Sequence, residues 1–289
     1  MTDTTGQDRA MELLGRFNDQ ITRIVDDTFG TQWAEIEEIL AIIALVKDHA
    51  VSTRQVADVS GMNRRALSRM LSRLRENGLV VTRPSDGDGR VVEVVLTNRG
   101  EEQSEMFRTS ISDLFHLSKD LAQEISAGTT PPQSSRIDEL STDPIDLLRR
   151  VCEAGASLVG FMPDAAMQGQ LAARQRAALV QIATQVGVRP NDLSSSLGVS
   201  PAGAAYIVDQ LCAKGYVRRL IDAVPADRRA VVLEATPEGV NAVGAVLDGI
   251  QQLRETFSAL FAEVAAWAQP MADVVSPPIA GGDGVPNPH

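Results

Sequence analysis

Asn63-Arg64-Arg65-Ala66-Leu67-Ser68-Arg69-Met70-Leu71-Ser72-Arg73-Leu74-Arg75-Glu76-Asn77-Gly78-Leu79-Val80 carries two patterns at once. Leu67, Met70, Leu71 and Leu74 recur at i, i+3, i+4 and i+7, the stripe by which a helix docks on a core. Arg65 and Arg69 point away from that stripe, with Ser68, Ser72 and Arg73 beside them. Asn63 stands where a helix wants a cap, and Gly78 where it wants a left-handed stop. The segment therefore reads as a helix over 63–77 with an apolar back and a cationic, hydrogen-bonding front.

The flanks give that helix a setting. A short helix is expected over Thr53 to Val59, with Gly61 making the turn between the two. After Gly78, residues 79–83 and 90–96 are rich in β-branched side chains, and Pro84 to Gly89 between them is turn material. Helix, turn, helix and hairpin in this order define a winged helix-turn-helix. Further out, long helices are expected over Gln7 to Phe29, Trp33 to Lys47 and Asn98 to Ile125.

The same series occurs twice. Val51 to Gly100 matches Val188 to Gly239: Gly61 aligns with Gly198, Leu74 with Leu211, Gly78 with Gly215, Thr97 with Thr236 and Gly100 with Gly239. In the second copy, helices are expected from Pro144 to Met162 or beyond, from Leu171 to Val186 and from Pro237 to Ala268. The expected organisation is a first winged-helix domain over 1–126, a linker over 127–142, a second domain over 143–269 and a disordered tail over 270–289. The fold class is mainly α with small β-hairpin wings, the long terminal helices joining the two copies as a pseudo-dimer.

The copies differ where chemistry is done. The second keeps the apolar back as Ala204, Ile207, Val208 and Leu211, but Arg65, Arg69, Ser72 and Arg73 become Ala202, Tyr206, Asp209 and Gln210. Val51 to Gly100 holds nine arginines against five acids, a charge of +4 in a chain of net charge -11. Val188 to Gly239 holds six bases and six acids, which cancel. Phosphate neutralisation needs a local basic face, so the distribution matters more than the sum.

Other classes of function find little support. The longest apolar run, Ile39 to Val46, is far short of the ~20 residues that span a bilayer. Met1 to Thr5 lacks the basic and apolar regions of a signal peptide, so the expectation is a cytoplasmic protein that does not engage membranes. The three histidines have no metal-ligand spacing with the two cysteines, and neither a phosphate-cradling glycine loop nor a nucleophile elbow is present. No metal, cofactor or enzymatic activity is expected.

The 63–80 string resembles the recognition helix and first wing strand of MarR-family regulators. The wing Pro225-Ala226-Asp227-Arg228-Arg229-Ala230, followed by Thr236-Pro237-Glu238-Gly239, is similar to that family's Asp-x-Arg wing, and Asp88 and Arg90 keep the pattern in the first copy. The resemblance implies a sequence-specific regulator of transcription that binds double-stranded DNA, a repressor responsive to a small aromatic effector. The first copy would supply most of the base readout, and the chain would act as a monomeric pseudo-dimer or as a dimer of fused chains. The alternative is a non-catalytic sensor or interaction protein that titrates another regulator, with a second copy unable to bind DNA.

The residues expected at DNA are Arg64, Arg65, Ser68, Arg69, Ser72, Arg73 and Arg90 in the first copy, and Tyr206, Arg228 and Arg229 in the second. Arginine can take guanine O6 and N7 bidentately, and a wing arginine suits a narrow minor groove. Asp88 and Asp227 would either orient those wing arginines or only brace the hairpins. Trp33, His49, His116 and Trp267 are candidates for an effector pocket, against the alternative of ordinary packing. Cys152 and Cys212 are candidates for a redox role, against the alternative of small buried hydrophobes.

Overall fold

The computed structural model describes residues 4–85, 87, 90–129, 142–161, 171–220 and 231–267. The first copy runs α1 (Thr4–Phe29), α2 (Ile36–Asp48), β1 (Ala50–Ser52), α3 (Thr53–Ser60), α4 (Arg64–Glu76), β2 (Val80–Pro84), β3 (Val92–Leu96), α5 (Asn98–Leu117) and α6 (Lys119–Thr129). The second runs α7 (Pro144–Val159), α8 (Ala173–Thr184), α9 (Pro190–Ser196), α10 (Pro201–Ala213), β4 (Val217–Leu220), β5 (Val232–Ala235), α11 (Pro237–Gln252) and α12 (Arg254–Trp267).

Local chemistry starts and stops the reading elements. Ser52 and Gln55 form a reciprocal capping box at α3, and Gly61 ends that helix at φ 71°. Asn63 accepts from the Ala66 N–H to start α4, whose apolar stripe is buried. β1, β3 and β2 form an antiparallel sheet, with Val81 opposite Val95 and Thr82 opposite Val94. β4 and β5 pair alone as a two-stranded sheet, while Leu233 N–H donates to Val188 O at 2.8 Å.

A shared device ties each wing to the helix after it. Thr97 caps α5 by accepting from the Gly100 N–H, and its hydroxyl donates to Gly78 O at 2.7 Å. Thr236 caps α11 in the same way and donates to Gly215 O at 2.6 Å. A Cβ on Gly100 or Gly239 would strike the carbonyl oxygen of Leu79 or Tyr216. The Thr-x-x-Gly that recurs in the sequence is thus a cap plus a close backbone approach.

The two copies do not keep separate cores. Leu13, Phe17, Ile21 and Val25 of α1 pack in one buried cluster with Phe257, Phe261 and Val264 of α12 and with Leu148 and Val151 of α7. Ala10 and Met11, at the start of the same α1, belong instead to the second copy's core around Leu179 and Leu211. α12 lies along α6, where Ser126 Oγ donates to Ser258 O at 3.0 Å. α7 lies on α2, where Lys47 Nζ meets Asp146 at 2.6 Å and a Cβ on Gly155 would sit 3.0 Å from Ile36. The terminal helices therefore join the copies into a pseudo-dimer.

Three expected helices are corrected. α2 begins at Ile36 rather than Trp33, because Trp33 is left-handed (φ 61°). The Asp26 carboxylate holds that turn, accepting from the Trp33 and Ala34 N–H groups at 2.6 and 3.1 Å and from the Thr31 hydroxyl. The helices expected to run unbroken from Asn98 and from Pro237 are each two, interrupted at Ser118 and Leu253. Ser118 is buried and its hydroxyl reaches Gln20 on α1, so the turn lays α6 back across the core. The C-terminal stretch over 270–289 and most of the 127–142 linker lie outside the described residues.

Candidate nucleic-acid interface

α4 presents Arg64, Arg65, Ser68 and Arg69 to solvent. Its buried stripe fixes the rotation: with Leu67, Met70, Leu71 and Leu74 inward, Arg65, Ser68 and Arg69 face out, while Arg64 is exposed at the first position of the helix. Among the described residues, none of Arg64, Arg65 and Arg69 makes an ion pair or a side-chain hydrogen bond. Three cationic forks on one helix, none paired among the described residues, can donate to base edges or phosphates.

The rest of the expected front divides. Ser72 is partly covered and accepts from Arg75 at 3.3 Å. Arg73 turns inward and pairs with Glu38 of α2. Burial pulls the Arg73 pKa down, with the more distant Asp26 acting against it. Arg73 thus ties the helix to the body of the domain, a role that its place in the sequence does not signal. Arg90 is exposed beside β3, while Asp88 lies outside the described residues.

The matching face of α10 is exposed but holds no cation. Ala202, Tyr206 and Asp209 line it, Tyr206 being 63% exposed. Asp209 takes Arg219 of β4 at 2.6 Å, and this hydrogen bond raises the Arg219 pKa. Arg218 pairs with Glu234 across the hairpin. Asp227, Arg228 and Arg229 lie outside the described residues.

Between the copies lies a cavity of about 510 Å³. Its wall is α1 and the start of α2 on one side, and α7, α8, α11 and α12 on the other. Trp33 lines it, with Arg174 stacked 5.1 Å over the indole. The other three candidates for the effector site lie elsewhere. His49 closes α2 in a left-handed turn, His116 Nδ1 sits 2.7 Å from Ser112 O, and Trp267 packs edge-on against Phe115. Cys152 borders the cavity but is buried, and desolvation pushes its thiol up to about 12, which keeps it protonated. Burial raises the half-buried Cys212 as well. Burial thus works against thiolate formation at both.

Sequence reasoning missed three carboxylates around this cavity. Asp26 builds the Trp33 turn, Glu35 pairs with Arg176 of the second copy at 2.7 Å, and Asp19 faces the cavity itself. No local pattern announces them, because each acts through a residue distant in sequence or through the cavity. Among the described residues, no group of three or more His, Cys, Asp or Glu side chains is placed to hold a metal ion, and no helix is long and apolar enough to cross a membrane.

The MarR family model matches this chain twice, over residues 38–91 and 170–230. No curated protein matches. Among solved structures, the chain is similar to the transcriptional regulator Tm0710 from Thermotoga maritima, with 26% identity, 38% of this chain and 78% of that one covered, and a TM-score of 0.30. It is similar to CouR from Rhodococcus jostii RHA1, solved bound to p-coumaroyl-CoA, with 25% identity, 40% and 92% covered, and a TM-score of 0.28. It is also similar to the heme sensor protein PefR from Streptococcus agalactiae in complex with heme, with 22% identity, 42% and 81% covered, and a TM-score of 0.31. Superpositions at that level assign no role to any residue. The two matched segments each contain a helix-turn-helix, so the chain carries two tandem winged helix-turn-helix units.

Proposed function

We propose that this chain, which carries two MarR-family segments in one polypeptide, is a DNA-binding transcriptional regulator in which the first copy reads sequence and the second mainly supports it. The observation that carries this reading is the row Arg64, Arg65 and Arg69 on α4, exposed and unpaired among the described residues. A solvated basic face is ordinary on a surface helix; what gives this one a task is its place as the second helix of a helix-turn-helix. The second copy keeps the same fold, but its reading helix carries no cation and Asp209 is engaged by Arg219, which suits support better than base readout or phosphate contact.

The regulator acts as a repressor by covering a promoter, and a ligand in the cavity between the copies shifts the tilt of one reading head against the other. The cavity has the size of a small-molecule site and its walls come from both copies, so occupancy acts on their relative placement. The alternative, a partner that titrates another regulator, draws on the same neutral α10 face but leaves the α4 arginines without a task.

A gel shift of genomic fragments at stepped salt tests the reading. Specific binding that weakens steeply with salt, and that the Arg65→Ala/Arg69→Ala double variant loses, is the expected result. Unchanged operator affinity in that variant would show that α4 is not the reader.

A further inference from the structure

The cavity between the copies is lined by one half-buried carboxylate that no side chain pairs with among the described residues. Asp19 of α1 lines it, half-buried, and among the described residues makes no hydrogen bond and no ion pair. Arg23, one turn further along α1, is exposed and only partly offsets the burial that raises the Asp19 carboxyl. The other charged side chains of the wall are satisfied or wet. Glu12 takes Arg9 at 2.9 Å, Arg176 is held by Glu35 and by Leu171 O at 2.6 Å, and Arg16 is exposed to solvent. Apolar groups make up most of the rest, including the rings of Phe17, Trp33, Phe257 and Phe261.

From this arrangement we propose that the cavity binds an organic cation with an apolar body, an alkyl- or arylammonium, whose charge pairs with the Asp19 carboxylate while its body lies among the aromatic rings. The proposal rests on reading the cavity as the effector site and names the class of effector. A carboxylate drawn out of water gains most from a cation that is itself weakly hydrated, and aromatic faces attract such cations. Arg176 is already engaged and Arg16 is exposed, so Asp19 is the half-buried charge of the wall left without a pair among the described residues. A bare metal ion is disfavoured by a wall that offers one carboxylate and hydrocarbon.

Calorimetric titration of the full chain with three probes of matched size tests the assignment: phenylbutyltrimethylammonium, phenylhexanol and phenylhexanoate. The cation should bind about tenfold or more tightly than either other probe, as one desolvated charge pair allows. Asp19→Asn should bring the cation down to the level of the alcohol and leave the alcohol unchanged, while Asp19→Glu keeps the preference. The charge series on the unaltered protein stands even if a variant folds poorly. Preference for the alcohol or the acid would overturn the cation assignment and leave the cavity as an effector site. Binding of none of the three would overturn the effector site along with it.

Discussion

Arg65, Arg69 and Arg73 lie on one helix of one sequence pattern, yet they do different work. Arg65 and Arg69 are exposed without partners among the described residues, whereas Arg73 is bound to Glu38. The pattern of arginines was legible in the sequence, but the division of labour was not, because Glu38 lies a helix away. Arg65→Ala and Arg69→Ala should each weaken operator binding by about 1–3 kcal/mol and relax preference at one base position, read by competition with single-base operator variants. Arg73→Ala should instead lower folding stability, by about 1 kcal/mol, because it strands a mostly covered Glu38 carboxylate; partial exposure of the guanidinium keeps the figure at the low end. Asp19 sets the opposite sign. Burial raises its carboxyl in the folded state, so the ionised form costs stability at neutral pH and that cost fades as the pH falls through the native pKa. Asp19→Asn should therefore melt higher than the parent at pH ~7, with the two curves converging in acid as the native carboxyl takes up its proton.

At the scale of elements, Gly61, Asn63, Gly78 and the β-branched runs located α3, α4 and the first hairpin, since these are set by nearby residues; the Ser52–Gln55 box and the Thr97 cap work at the same short range. The failures came where a distant group decides the backbone. Asp26 imposes the Trp33 turn from seven residues away, and Ser118 breaks the helix after α5 by reaching Gln20. Neither residue looks unlike ordinary helical sequence. The Thr-x-x-Gly device makes a direct test of the winged unit. Gly100→Ala places a methyl against the backbone oxygen of Leu79, which cannot swing aside, and should cost about 1–3 kcal/mol in denaturant titration. Gly239→Ala should do the same against Tyr216 O. A cost in neither variant would mean that wing and helix are less tightly joined than described. Lys47–Asp146, which docks α7 on α2, lowers the Asp146 carboxyl; its contribution is present above the ordinary aspartate pKa and is lost as pH falls through the depressed native value.

The whole molecule is a fused pair whose halves share a core but not a surface. α1 of the first copy reaches the second core through Ala10 and Met11, while Phe257 and Phe261 of the second sit against Phe17 of the first. The repeat in the sequence announced two copies; it did not show how far each one's helices enter the other, because packing between distant segments leaves no periodic mark. Such sharing predicts one cooperative calorimetric unfolding transition, and two well-separated transitions would count against it. The same fusion allows the two reading faces to diverge, as α4 and α10 have: one cationic and open, the other neutral with Asp209 engaged by Arg219. A symmetric dimer reads two equal half-sites about one helical turn apart, and this chain has no such symmetry to offer. The most direct test is the affinity of the chain for its operator with every base pair substituted in turn, at a measured protein-to-DNA stoichiometry. One chain per site, with mutational sensitivity concentrated in a single half-site, is the predicted result. One chain per palindromic site with equal sensitivity in both halves would contradict it.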